Sequence, residues 1–280
     1  KSILAVSLDS TFRYSSQSGP QIEIENFDIE EPSGNISIKP HVAFSGSANR
    51  YGFVFDKIAY SDTVSALEGK AQAVWSFNDG IFDSILFDLN AASLIAGEKI
   101  NLNAEFRNPD RKKLSMDSFL KDFYITSQGN VAAFPFARIL SDQTGSNFLN
   151  FEFSASGTLE NPFVSVSASR SSVNIAGFPA FFEGNVLYDE NGLTVSDFIL
   201  NWGALSVTDT SAVFDPKTFQ GSLSALVRGE ALENDFNIPL TLKIQSLSPE
   251  SKPAENFIAS LSSANMTGSF FPSGLSLKLM

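Results

Sequence analysis

The sequence predicts an all-β chain built from antiparallel hairpins in series. The main observation is an alternation of apolar and polar residues with a period of two, which places successive side chains on opposite faces of a strand. The second is the turn chemistry between these runs, since Asn78-Asp79-Gly80 and Asn191-Gly192 supply the positive φ angles of tight hairpin turns. Strands with one apolar and one polar face are typical of antiparallel sheets with one solvated side.

The alternation is clearest between residues 236 and 245. There Phe236, Ile238, Leu240, Leu242 and Ile244 interleave with residues that are mostly polar. The same pattern predicts further strands, whose apolar rows are Ile81–Ile85–Phe87–Leu89 with Asp83 interrupting the row, Ile100–Leu102–Ala104–Phe106, Leu149–Phe151–Phe153–Ala155, Leu223–Ala225–Val227 and Leu275–Leu277–Leu279.

One segment, Leu114 to Tyr124, predicts a helix. Met116, Leu120 and Phe123 fall at positions i, i+4 and i+7, behind Ser115 as a candidate N-cap. We therefore expect one short helix near residues 114–124 in an otherwise β chain.

The domain organisation is expected to be simple. No Pro- or Gly-rich linker of useful length divides the chain, so we expect a single elongated β domain over residues 1–280. A weak internal repeat is visible, because Glu68-Gly69 and Glu183-Gly184 each begin a strand that returns through a glycine turn. The repeat units cover about residues 46–155 and 156–245, and repetition of one supersecondary unit favours elongated growth.

Composition excludes some classes of function. The chain has 280 residues, 43% of them hydrophobic, and a net charge of −12, which disfavours nucleic-acid binding because that depends on clustered Lys and Arg. The 27 phenylalanines outnumber 5 tyrosines and 2 tryptophans. Phenylalanine has no polar group, so this excess predicts a dry core or an apolar ligand.

The chain starts at Lys1 without a signal peptide or a bilayer-spanning apolar run, and we expect an internal segment of a longer protein.

The sequence contains no catalytic, cofactor-binding or metal-ligating motif. Cysteine is absent, which removes thiolate chemistry, and the single histidine, His41, cannot complete a multi-histidine metal site. Its alternating neighbours Val42 and Phe44 favour an ordinary strand residue. Paired carboxylates of a glycosidase cannot be placed across a cleft from sequence. We expect a protein that is not an enzyme and uses no cofactor and no metal.

A basic cluster precedes the predicted helix. It consists of Arg107, Arg111, Lys112 and Lys113. The cluster is suited to a lipid headgroup or a partner, or is a solvated loop, and the second interpretation is favoured.

Residues Ser156 to Glu230 resemble the TamB branch of the AsmA-like proteins of diderm bacteria. The resemblance is carried by the order of short strand and turn phrases rather than by any one of them. These phrases are Gly157-Thr158-Leu159-Glu160-Asn161-Pro162, Gly184-Asn185-Val186, Asn191-Gly192-Leu193, Gly203 to Thr208, and Phe214-Asp215-Pro216 leading into Gly221-Ser222-Leu223.

The resemblance implies a periplasmic protein with a twisted β-sheet folded into an apolar groove, a β-taco. It also implies an inner-membrane anchor at an N-terminal segment absent here, and transport of phospholipid between the inner and outer membranes. Assembly of outer-membrane proteins with a BamA-like partner of the TamA type is implied as well, through regions outside this segment. The lipid groove is expected to be lined by Phe151, Phe153, Phe198, Leu200, Phe236, Ile238, Leu240 and Leu242.

Physical chemistry supports an apolar path for such a cargo. Moving an acyl chain of about 16 carbons into water costs roughly 12 kcal/mol, at about 0.8 kcal/mol per CH₂. A passage through water therefore needs a continuous lining of apolar side chains. The alternative is a structural or adhesive β-sandwich of the cell surface, in which the same faces close on each other as a dry core. A carbohydrate-active sandwich is a third reading, and it would need exposed aromatic residues beside a carboxylate pair.

Overall fold

The chain is all-β, as the sequence predicts. In the computed structural model eighteen strands form, and every strand pair with a defined register is antiparallel. The structure describes residues 5–15, 19–30, 37–47, 49–61, 66–93, 97–113, 115, 119, 121–135, 147–231, 234–246, 257–263, 266–268 and 277–279.

The chain divides into two compact units. Unit 1 comprises residues 1–141 and 152–162, and unit 2 comprises residues 142–151 and 163–280. The expected single domain over 1–280, with repeat units at 46–155 and 156–245, stays a prediction.

Unit 1 is a series of hairpins in which each strand from β1 to β8 pairs with the next one along the chain. Its strands are β1 Ala5–Ser15, β2 Gly19–Glu30, β3 Ser37–Ser47, β4 Arg50–Ser61, β5 Ala66–Asn78, β6 Ile81–Ser93, β7 Lys99–Arg107, β8 Tyr124–Pro135 and the residues 152–158 of β9 Phe148–Thr158. His41 lies in β3 opposite Lys57, which confirms that it is a strand residue.

Unit 2 repeats this arrangement, and its strands from β10 to β16 also pair in chain order. Beyond residues 148–151 of β9 its strands are β10 Pro162–Ile175, β11 Phe178–Asp189, β12 Gly192–Trp202, β13 Leu205–Asp215, β14 Gln220–Ala231, β15 Asn234–Ser246, β16 Phe257–Ser263, β17 Thr267–Gly268 and β18 Leu277–Leu279. The short strands β17 and β18 pair with β15 and β16.

The helix lies where the sequence predicts it. Phe119 and Lys121 are helical, and the N–H of Phe119 donates to the carbonyl oxygen of Ser115 at 2.9 Å, an i to i−4 bond. Tyr124 is the first residue of β8 and not helical. Leu114, Met116 and Leu120 of the predicted helix lie outside the described residues.

β-bulges interrupt the alternation at adjacent positions on neighbouring strands of unit 2. Arg170, Asp197 and Asp209 have φ angles of 43°, 53° and 51°, and each lies at a shift in strand register, as Gly184 does. These four residues belong to four consecutive strands, β10 to β13. The register pairs beside the bulges are Ala168–Gly184, Asn185–Ser196 and Ser196–Ser211. A bulge bends its strand, so consecutive strands bend along one common line.

Candidate apolar binding face

Six of the eight predicted groove residues share one face of unit 2. Phe198 and Leu200 lie on β12, and Phe236, Ile238, Leu240 and Leu242 lie on β15, with β13 and β14 between the two groups. Cross-strand register connects the two groups. The row runs Leu200–Val207–Val227–Ile238 across β12, β13, β14 and β15.

This face is mainly apolar on every strand from β10 to β15, with Ser171 and Thr210 as members that carry a hydroxyl, and we call it the apolar face of unit 2. The register pairs Val186 with Val195, Val195 with Ala212, and Leu223 with both Ala212 and Leu242. Further members of the face are Val164, Val166, Val173, Phe182, Tyr188, Leu193, Trp202, Leu205, Phe214 and Ala225. The predicted lining lies on β9, β12 and β15, and the apolar residues of β10, β11, β13 and β14 on this face are not part of it.

A signal for the bulge on β12 is present in the sequence. On β12 the apolar residues change from odd positions, Leu193 and Val195, to even positions, Phe198 and Leu200. The change occurs at Asp197, the bulged residue, which keeps both halves of the strand on one face. A switch of parity within one alternating run therefore predicts a bulge.

The opposite face of unit 2 is mostly polar. Asn201, Ser206 and Arg228 form one row across it, and Lys243 pairs with Ser222 in another. Asp209 accepts a hydrogen bond from Nη2 of Arg228 at 3.1 Å, between two exposed side chains. The exposed residues Phe163, Phe181 and Val213 are exceptions, and Leu187, Ile199 and Leu226 also lie on this face. The two faces of the sheet thus differ in chemistry, because apolar residues continue from strand to strand on one face and are interspersed with polar residues on the other.

The phenylalanines are only partly removed from solvent. The structure describes 20 phenylalanine side chains, of which 16 are half-buried and 3 are exposed. Within this set only Phe123 is buried, at 1% exposure. All eight predicted groove residues are half-buried. A closed sandwich core would bury most of these rings.

Phenylalanine rings lie over glycines of neighbouring strands. The pairs are Phe153 over Gly129, Phe198 over Gly184, Phe214 over Gly221 and Phe236 over Gly229. A Cβ atom built on Gly229 would lie 2.6 Å from Cζ of Phe236, so the ring occupies the space of the missing side chain. These rings cover backbone that glycine would leave bare, and they form part of the surface of the sheet.

The remaining two predicted groove residues fall in different units. Phe151 belongs to unit 2, whereas Phe153 belongs to unit 1, where it contacts Gly129 of β8. In unit 2, Asn150 next to Phe151 connects β9 to β10, because its N–H donates to Oγ of the buried Ser171 at 2.9 Å. The structure therefore joins six predicted residues on one face of unit 2, while Phe151 lies on β9 in the same unit and Phe153 lies in unit 1.

Unit 1 also has an apolar face, on which Ile85, Phe87 and Leu89 of β6 pair with Phe106, Ala104 and Leu102 of β7, and aromatic rings pack over one end of it. Tyr51 contacts Phe77, Phe77 contacts Phe82, and Phe82 stacks on Phe123 with ring centroids 5.5 Å apart. Phe119 adds a further ring 5.4 Å from Phe123. We call these five residues the aromatic end cluster. Its outer members come from the connection between β7 and β8.

The predicted apolar row of β6 needs a correction at this end. Ile81 is exposed and pairs with Asn78, whereas Phe82 pairs with Phe77 on the apolar face. A register shift between Ser76 and Phe77 causes the exchange, so the row begins at Phe82.

The basic cluster lies on an exposed loop, as the solvated interpretation predicts. Arg107, Arg111, Lys112 and Lys113 are all exposed. Nε of Arg107 lies 2.7 Å from Oε1 of Glu105, and this hydrogen bond raises the pKa of Arg107. Two of the four cations thus have carboxylate partners, since Nζ of Lys112 lies 2.6 Å from Oδ1 of Asp122.

Other kinds of site find little support in the described part of the chain. There, no group of three or more His, Asp or Glu side chains is arranged to hold a metal ion. No helix within the described ranges has the length and apolar character needed to cross a bilayer. The apolar face of unit 2 is therefore the strongest candidate binding surface.

Some of the phrases that resemble the TamB branch form recognisable structure. Glu190 and Asn191 connect β11 to β12, which begins at Gly192, one residue earlier than the predicted turn implies, and β13 ends at Asp215, in the Phe214-Asp215-Pro216 phrase. Hairpin turns of this kind occur in many β proteins, so they do not identify a family. No protein-family model matches the chain, and no curated protein or solved structure matches it either.

Proposed function

We propose that this chain is a non-catalytic lipid conduit that binds phospholipid acyl chains along the apolar face of unit 2. The observation that carries the proposal is a row of half-buried apolar side chains that continues across consecutive strands without a charged residue, as in Leu200–Val207–Val227–Ile238. Such a row lies across the strands, so its length grows with each added hairpin.

The chemistry of the face suits an acyl chain. A chain of about 16 carbons gains roughly 12 kcal/mol when it leaves water for an apolar surface that encloses it. Phe, Leu, Ile and Val offer area without hydrogen-bonding groups that would hold the cargo in one place. Aligned bulges at Arg170, Asp197 and Asp209 bend the strands along one line, which favours a concave surface. The buried Thr210 and Ala225 lie beside that line.

The wider role follows the TamB resemblance. In this role the protein lies in the periplasm between the inner and outer membranes and is anchored to the inner membrane. The resemblance also implies an outer-membrane partner of the BamA and TamA kind, which would bind regions outside this chain. Cofactors have no part in this role.

The test uses Trp202, which lies on the apolar face next to Leu200 and Leu205. Trp75→Phe leaves Trp202 as the only tryptophan of the chain. We expect phospholipid with brominated acyl chains to quench Trp202 fluorescence, whereas the same lipid without bromine leaves it bright. Native mass spectrometry of the same samples counts the phospholipids bound per chain.

A pair of neighbouring substitutions separates the proposal from a closed sandwich. Leu200→Asp places a carboxylate on the apolar face, and Asn201→Asp places one on the polar face. We expect both variants to keep the far-ultraviolet circular dichroism of the parent, and only Leu200→Asp to lose quenching and bound lipid. Unfolding of Leu200→Asp would instead indicate a closed core, where an unpaired carboxylate costs several kcal/mol. Equal quenching of both variants would remove Leu200 from the lipid path.

A further inference from the structure

In the aromatic end cluster, Phe123 of the connection between β7 and β8 packs on Phe82 of the sheet, and the other four residues are half-buried. Phe77 and Phe82 pair across β5 and β6 on the apolar face of unit 1. Phe123 stacks on Phe82 with an interplanar angle of 19°, and Phe119 packs against Phe123. The rings of the connection between β7 and β8 therefore occupy surface that the apolar face would otherwise present to solvent.

Hydrogen bonds fix this connection in place. Nδ2 of the buried Asn108 donates to the carbonyl oxygens of Phe82 and Lys112 at 2.9 and 2.8 Å. Its Oδ1 accepts the N–H of Lys112 at 3.0 Å, and its own N–H donates to the carbonyl oxygen of Asp83 at 2.8 Å. Lys112 is also joined to Asp122 next to Phe123. Displacing the connection would leave several of these polar groups without partners.

We infer that the connection between Asn108 and Phe123 closes this end of the apolar face of unit 1 to acyl chains, an inference that rests on the proposed function. Phenylalanine rings and acyl chains compete for the same surface, because both are apolar and neither forms hydrogen bonds. The rings are tethered to the sheet, so they hold the surface at an effective concentration that a free lipid does not reach. The lipid path in unit 1 therefore ends at the aromatic end cluster.

The experiment compares two full-length chains with one tryptophan each. One carries Trp75→Phe and reports from Trp202. The other carries Trp75→Phe, Trp202→Phe and Phe77→Trp, and reports from the covered end. Both are titrated with vesicles of dibrominated phosphatidylcholine and with the bromine-free lipid as a control.

We expect strong quenching of Trp202 and less than about one third of it for the Phe77→Trp reporter. Adding Phe119→Ala and Phe123→Ala removes the covering rings and should raise quenching of that reporter at least about twofold. Phe178→Ala, at an exposed position of unit 2, is the matched control and should leave it unchanged.

The outcomes separate this inference from the proposed function. Absent quenching of Trp202 contradicts the proposed function. Quenching of Trp202 together with equal quenching of the Phe77→Trp reporter, or with no change on removing the rings, overturns the inference alone. If the double substitution unfolds the chain, Phe119→Ala alone decides the matter, because its ring is only half-buried. An unchanged signal in that variant also overturns the inference.

Discussion

The aromatic end cluster of unit 1 and the apolar face of unit 2 use the same residue type, and one ring sets them apart. Phe123 is 1% exposed, whereas the other four residues of the cluster are half-buried, like Phe182, Phe198, Phe214 and Phe236 on β10–β15. A sheet covers one side of a ring, and a second contact is needed to cover the other. Phe123, in the connection between β7 and β8, has both, since it stacks on Phe82 of β6 and contacts Phe119 of the same connection. The comparison shows that full burial of a ring depends on a contact beyond the sheet.

The two regions are also stabilised in different ways. The covered end combines stacked rings with the buried side chain of Asn108. The described hairpins of unit 2 depend more on local backbone conformation, namely the bulges at Asp197 and Asp209 and the turn that begins at Asp215. Core substitutions should therefore affect the first region most, and backbone substitutions the second.

The largest effect is expected from Phe123→Ala. Removing a buried phenylalanine leaves a cavity among Phe82 and Phe119 and typically costs about 3–5 kcal/mol. Phe198→Ala on the apolar face of unit 2 should cost about half as much or less, because its ring is already half in water. Urea unfolding monitored through Trp75 for unit 1 and Trp202 for unit 2 measures the two losses. Equal losses would show that the rings of unit 2 are as well enclosed as Phe123.

An intermediate effect is expected from Asp209→Val at the bulge of β13. The φ of Asp209 is 51°, a left-handed conformation that a β-branched residue adopts at a cost of about 1–2 kcal/mol. Asp209→Gly is the matched control, since it also loses the exposed contact with Arg228 but carries no steric cost. We expect the Val variant to lower the unfolding midpoint reported by Trp202 and the Gly variant to keep it. If both variants lower it equally, the side-chain contact matters and the bulge does not.

Much of the fold could be predicted from the sequence because its causes are local. The alternation from Phe236 to Ile244 places these residues on one face of β15, and Asp79-Gly80 forms the predicted turn with φ angles of 50° and 75°. The helix near Phe119 also follows from local spacing and a cap. Each of these features depends on residues close together in the chain.

The parts that were missed depend on register between strands. Asp197 and Asp209 shift the alternation by one residue, which a fixed period of two does not reproduce. The same effect placed Ile81 in the wrong row. A sequence pattern also does not reveal which apolar residues are covered by another part of the chain. The alternation therefore does not distinguish the burial of Phe123 from that of Phe198. Their difference arises from the path of one long connection.

The smallest effect is expected at the turn that begins with Asp215. Thr218 donates its hydroxyl to Oδ2 of Asp215 at 2.7 Å, and the N–H of Lys217 donates to Oδ1 at 2.8 Å. Both bonds favour the carboxylate, so the pKa of Asp215 is lowered, with the bond from Thr218 as the main cause. A lowered pKa means that the contribution to stability is present above the unfolded pKa and is lost as the pH falls through the folded value.

Carboxyl-carbon NMR titration of Asp215 tests this turn directly. Thr218→Val removes the stronger bond, and we expect the pKa of Asp215 to rise toward its ordinary value. Lys217→Ala keeps the backbone N–H and should cause a smaller rise. A pKa that does not respond to Thr218→Val would show that the hydroxyl bond does not hold the turn. Because both bonds lie within the turn, the change should leave the apolar face unaltered and affect only the turn between β13 and β14.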